Sequence, residues 1–121
     1  MKVALFSKYS RLGASTRLRS LQYLPALEQC GILVAHYPLF DDDYLTSLYG
    51  GKGRSFAAVI GFYLRRIRDL RRLRDVDLIW LEYEAMPYLP YWLERALMPR
   101  GVPYVVDYDD AVFHHYDLSA R

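Results

Sequence analysis

The chain has a single cysteine, Cys30. No disulfide can therefore close within it, which suits a reducing cytoplasm. Long apolar runs are also missing. The longest uncharged one, Phe56 to Leu64, falls well short of the roughly 20 residues that span a bilayer. The apolar start, Met1 to Ser7, is too short for a signal-peptide core. An integral membrane protein is excluded, and a soluble or peripheral one is expected. Neither sign of charge dominates. Sixteen Lys and Arg against 14 Asp and Glu leave +2, too near balance to imply a nucleic-acid partner. Neither a G-x-G-x-x-G fingerprint nor a G-x-x-x-x-G-K-[ST] loop is present. No internal repeat and no linker divides the chain, so residues 1–121 read as one domain.

Against these absences, 53% of the residues are apolar, which is enough to bury a core. Lys2 to Ser7 reads as a buried strand, followed by a loop, Lys8 to Ala14. Ser15 or Thr16 is placed to cap a helix running to Gln29, with leucines at 18, 21, 24 and 27. Pro25 is expected to kink it, since an interior proline costs about 3 kcal/mol. Ile32 to Tyr37 reads as the second strand. Asp41 to Asp43 then open a short helix, as acids suit a helix N-terminus. A long helix is expected over Ser55–Arg74, with Phe56, Ile60, Tyr63, Ile67 and Leu70 as its core stripe and arginines on its other faces. Asp77 to Leu81 is the third strand, a helix follows from Met86 or Pro87 to Met98, and Pro103 to Asp107 is the fourth strand. Strands alternating with helices predict an α/β fold: a Rossmann-like, three-layer α/β/α domain with a mainly parallel four-stranded sheet. The expected order is 2-1-3-4, with 3-2-1-4 as the alternative. In the first order three loops share one rim, Lys8–Ala14, Glu82–Ala85 and Asp107–His114, where open α/β sheets bind ligands.

Each rim loop carries chemistry. In the first, Gly13 allows close backbone approach, and Ser15, Arg17 and Arg19 add donors beside a helix start. In the second, an extended Glu82-Tyr83-Glu84 would point both carboxylates the same way. In the third, Asp107-Tyr108-Asp109-Asp110 precedes His114 and His115. Its D-x-D form suggests a metal, but no other residues complete a coordination set. A carboxylate orienting a hydroxyl, with a histidine for proton transfer, fits better. Eight basic residues against one acid crowd Lys52–Arg74. They suit a solvated face first, an anionic membrane surface second and nucleic acid last.

Taken together, Lys2–Ser7, Gly13–Arg19, Tyr23–Leu27, Asp77–Glu82 and Tyr104–Phe113 resemble the N-terminal domain of group 1 (family 4) glycosyltransferases, which have the GT-B architecture. The resemblance implies an N-terminal domain that handles a glycan or lipid-linked acceptor. It also implies a C-terminal domain that holds a nucleotide-sugar donor and carries an E-x7-E motif. Transfer would need no metal and no cofactor beyond the nucleotide-sugar co-substrate. Gly13 and its neighbours Ser15 and Arg17, with Glu82, Glu84 and Asp107, would meet donor phosphates or acceptor. Asp109, Asp110 or His114 would face the reacting sugar. Residues 108–121 would be a loop or tail leading to sequence that this chain does not include. Without the donor domain the chain is expected to be inactive, and to lie in the cytoplasm, touching the inner membrane face through Arg65–Arg74. The alternative is a stand-alone flavodoxin-like or receiver-like binding module without catalysis.

Overall fold

The computed structural model describes residues 1–10, 12–51 and 56–108. Four strands, β1 (Lys2–Tyr9), β2 (Leu33–Phe40), β3 (Leu78–Glu82) and β4 (Tyr104–Asp107), form one parallel sheet. Their order is β2-β1-β3-β4. The chain first steps one way, from β1 to β2, and then back across β1 to β3 and β4. Right-handed crossovers therefore place the helices after β1 on one face and those after β2 and β3 on the other.

The register shows which side chains share each face. Phe6 pairs with Tyr37 and Leu81, and Leu81 with Val106. This set, with Ala4 and Ile79, packs under α4 (Phe56–Arg72), whose Leu70 is buried among them. The opposite face holds Leu5, Ser7, His36, Glu82 and Asp107. It receives α1 (Ala14–Arg19) and α2 (Leu24–Gln29). Pro38 fits inside β2 because β2 is an edge strand. The Leu33 N–H bonds the Met1 carbonyl, so odd-numbered residues face β1 and Pro38 faces outward, where no donor is needed.

Three expectations about the helices need correction. The first helix does not run through Pro25 with a kink. It ends at Arg19, passes through a 3-10 turn, Leu21–Tyr23, and restarts as α2 with Pro25 in its first turn. There proline has no hydrogen bond to lose. The α1 cap is Gly13, with no side-chain cap, in place of Ser15 or Thr16; Thr16 is occupied elsewhere, as described below. Second, only the C-terminal part of the α4 stripe is core. Tyr63, Ile67 and Leu70 pack inward, whereas Phe56 is 78% and Ile60 44% exposed. Third, the last helix, α5, begins only at Tyr91 (Tyr91–Leu97), with Pro90 as its cap. The preceding Ala85 and Met86 are buried loop residues whose N–H groups point to the Glu94 carboxylate. The acids before α3 (Asp42–Tyr49) behave as expected: Asp41 accepts the Tyr44 N–H at 2.8 Å. No helix among the described residues is long and apolar enough to cross a membrane.

Candidate functional site

The carboxyl ends of the strands form a rim with two differently built sides. On the α1 side, a polar row crosses all four strands: His36, Ser7, Glu82 and Asp107. Glu82 is 4% exposed. Thr16 donates to one of its oxygens at 2.9 Å and Ser20 to the other. Asp107 pairs with Arg19 at 2.8 Å. Thr16, Arg19 and Ser20 all belong to α1 or its end, so two carboxylates from adjacent strands clamp a six-residue helix too short to hold its own fold. Glu82 therefore secures α1, which in turn sets the position of the Gly13 loop.

Gly13 is buried beneath that loop, and a Cβ there would lie 2.5 Å from the Tyr9 Cβ. Its glycine identity follows from this contact with β1. Asp42 adds a second tether, accepting the Leu12 N–H at 3.2 Å. Arg17 is exposed, and the Ser15 side chain lies outside the described residues. Glu84 is half-buried beyond Tyr83. Tyr83 has φ +67°, so the loop is not extended and the alternation that would aim Glu82 and Glu84 together is broken. Asp109, Asp110 and His114 also lie outside the described residues. Of the predicted site, the structure thus brings Gly13, Glu82 and Asp107 to one rim around α1.

Ser7 and His36 sit 2.7 Å apart on this side, the spacing of a nucleophile and its base. The hydrogen bonds argue otherwise. The Ser7 hydroxyl donates to the Tyr9 carbonyl at 2.6 Å, which leaves His36 Nε2 as the donor to Ser7 Oγ. Burial, with the Arg66 charge nearby, lowers the His36 pKa to about 4, so the ring is neutral. The pair is a structural latch between β1 and β2. Cys30, at the end of α2, is exposed, although a cysteine at a helix end reads as a packing residue.

On the α4 side the arginine-rich helix departs from a solvated face. Arg66 is 2% exposed. Its guanidinium donates to the carbonyls of Ser7 (2.6 Å), Tyr37 (2.9 Å) and Ala85 (2.8 Å) and lies over the Phe6 ring at 4.9 Å. Burial lowers its pKa to about 10, so it remains charged at neutral pH. Arg65 donates to the Pro38 and Leu39 carbonyls, each at 3.1 Å. Two of the arginines thus bind backbone ends of β1, β2 and the β3 loop, where a fork of donors suits several carbonyls at once.

Above Arg66 the rim opens into a groove of about 320 Å³, near the lower end of the usual small-molecule range of about 300–1,000 Å³. Tyr9, Phe40 and Tyr44 form one wall, Val59 and Tyr63 of α4 the other, and Phe56, Lys8 and Tyr88 border it. The walls are held by aromatic packing: Phe40 stacks on Tyr44 at 4.8 Å, and Phe62 meets both edge-on at 5.7 and 5.6 Å. The Tyr63 hydroxyl donates to the Pro87 carbonyl at 2.5 Å. The Lys8 ammonium donates to the Tyr88 hydroxyl at 2.6 Å and sits over the Tyr88 and Tyr9 rings at 4.7 and 5.2 Å. Burial works against its charge, but the contacts with Tyr88 and Tyr9 outweigh it and raise the pKa. Lys8 is therefore cationic.

No family model, curated protein or solved structure matches the chain. The site must be read from its own geometry.

The aromatic groove is what the sequence reading missed. Lys8 and Tyr9 fall inside β1 and not in a loop. Tyr83 and Tyr88 both take the left-handed backbone conformation, each with φ +67°, which costs a bulky residue about 1–3 kcal/mol. Each ring is covered by a cation, Arg19 at 5.0 Å and Lys8 at 4.7 Å. The one signal available was composition, with 12 tyrosines in 121 residues.

Proposed function

We propose that this chain is the acceptor-side half of a glycosyltransferase, working with a separate domain that holds a nucleotide-sugar donor. The supporting observation is the groove of ring faces at the carboxyl ends of β1 and β2, beside the tethered Gly13 loop. Tyrosine and phenylalanine faces suit the C–H face of a pyranose, and their hydroxyls suit its edges. The acceptor, a glycan or a lipid-linked sugar, would lie there with its reacting hydroxyl toward the switch point between β1 and β3. In this reading Asp109, Asp110 and His114 supply the proton chemistry from the segment after β4. The chain works in the cytoplasm with no resident cofactor. Contact with the inner face of an anionic membrane would use Arg68, Arg71, Arg72 and Arg74, because Arg65 and Arg66 are committed to carbonyls.

The reading is tested with the 121-residue chain, a panel of nucleotide-sugars and mixed oligosaccharides. Oligosaccharides are expected to shift the amide resonances of Lys8, Leu12 and Tyr88, and no sugar is transferred. Transfer by the chain alone refutes the half-site, and an absence of any glycan-dependent shift refutes the acceptor role. An in-frame α/β domain with E-x7-E encoded after Arg121 is expected in the gene.

A further inference from the structure

The groove described above has one ionic feature. Among the described residues no carboxylate pairs with the Lys8 ammonium, whose contacts are the Tyr88 hydroxyl and the two ring faces. An ammonium has three donors, of which the Tyr88 hydroxyl takes one, and an anion that reaches it gains charge-assisted hydrogen bonds. The other described lining residues are aromatic rings and Val59, which have no cation to offer a second anionic group.

We propose that the groove binds an anionic sugar, a pyranose bearing one carboxylate or phosphate, with its apolar face on the rings and its anion on Lys8. A cation is excluded as the ligand. Ring faces do cage ammonium groups, but Lys8 already covers Tyr9 and Tyr88 and would repel another. A neutral apolar ligand would cover the remaining Lys8 donors without accepting from them. Among the described residues the groove lining holds one cation, Lys8, which matches one anionic group and not a long polyanion. A single ring with one anionic group satisfies both the walls and the mouth, and it matches the groove's small volume.

This inference rests on the acceptor-side reading and deepens it. Its test is a set of NMR titrations of the 121-residue chain with glucuronate, glucose 1-phosphate, glucose and phenyl phosphate. Both anionic sugars, or the one whose anion the site prefers, should shift Lys8, Tyr9, Tyr44 and Tyr88 saturably. Glucose should bind about tenfold more weakly, the worth of one charge-assisted hydrogen bond at a half-open site. Lys8→Met should remove that preference, and Lys8→Arg should restore it; Lys8 is half-buried, and unchanged core methyl resonances check the fold. Equal binding of glucose and the anionic sugars overturns the proposal. So does phenyl phosphate binding as tightly as glucose 1-phosphate, which would make the groove a site for aryl anions, and so do shifts confined to other parts of the surface. If neutral oligosaccharides still bind at this rim while anionic sugars show no advantage, the acceptor reading stands and this inference alone falls.

Discussion

Arg66→Met tests the central claim about the rim. Methionine nearly matches the arginine stem in length and keeps its contact with Phe6, but it donates nothing. Three carbonyls then lose a charged donor. Those of Ser7 and Tyr37 lie in the β1–β2 ladder, which offers them other partners. Ala85 lies in the loop after β3 and bears the full penalty of a buried unsatisfied carbonyl, about 1–3 kcal/mol. Loss of the two remaining charge-assisted bonds adds to this, while release from burying a cation subtracts from it. A buried ion pair can often be replaced by apolar groups without loss, but only when both partners go, and backbone carbonyls cannot be removed. The balance is a destabilisation of about 2–4 kcal/mol, a large part of a typical 5–15 kcal/mol. Urea unfolding followed by Trp80 and Trp92 fluorescence measures it. Arg66→Lys should recover only part of the loss, since one ammonium does not span three acceptors from two strands and a loop. If Arg66→Met unfolds within about 0.5 kcal/mol of the parent chain, the size of an ordinary surface change, Arg66 does not organise the rim.

His36 should make folding acid-sensitive. Its folded pKa is lowered to about 4 from an ordinary 6.5, so the unfolded chain binds the proton first. Its contribution to stability is complete above about pH 6.5 and is lost as pH falls toward 4. Partial exposure screens the effect to ~1–2 kcal/mol. Urea midpoints at pH 7 and pH 4.5 should therefore differ less in His36→Gln than in the parent chain, and equal differences would refute the assignment. Gly13→Ala should destabilise by about 1–3 kcal/mol through overpacking, because the new Cβ meets the rigid Cβ of Tyr9 at 2.5 Å. Calorimetry showing no loss would mean that the loop yields freely.

The topology was legible because its signals are collective. Buried-type strands separated by helical periodicity fix a parallel sheet, and connection rules narrowed its order to two, of which β2-β1-β3-β4, the expected one, is observed. Individual side chains in α4 were harder to place. Phe56 and Arg66 are ten residues apart on one helix, and hydropathy puts the phenylalanine inside and the arginine out. The structure reverses both. Three carbonyl oxygens converge at the ends of the strands, and a guanidinium fork satisfies them where no apolar side chain can. That demand comes from the backbone of three other segments, so no local pattern in α4 carries it.

The rim shows the same division. Glu82 and Gly13 were legible as rim residues, because the end of a parallel strand is a fixed place. Their work was not, because it depends on which partner reaches them. Ser20 and Thr16 lie four residues apart, one helical turn, so both hydroxyls can reach the same carboxylate. Once Glu82 is committed to α1, it leaves the list of groups that can face a ligand. Lys8 moves the other way. It reads as the first residue of a loop, yet it is a strand residue that borders the groove, and among the described residues no carboxylate pairs with it. The acids Glu82 and Asp107 are used in holding α1, and among the described residues that line the groove the one charged side chain is Lys8. In the proposed reading a ligand at this groove is selected by Lys8 and the rings around it, and Glu82 and Asp107 act on that selection by fixing where the Gly13 loop stands.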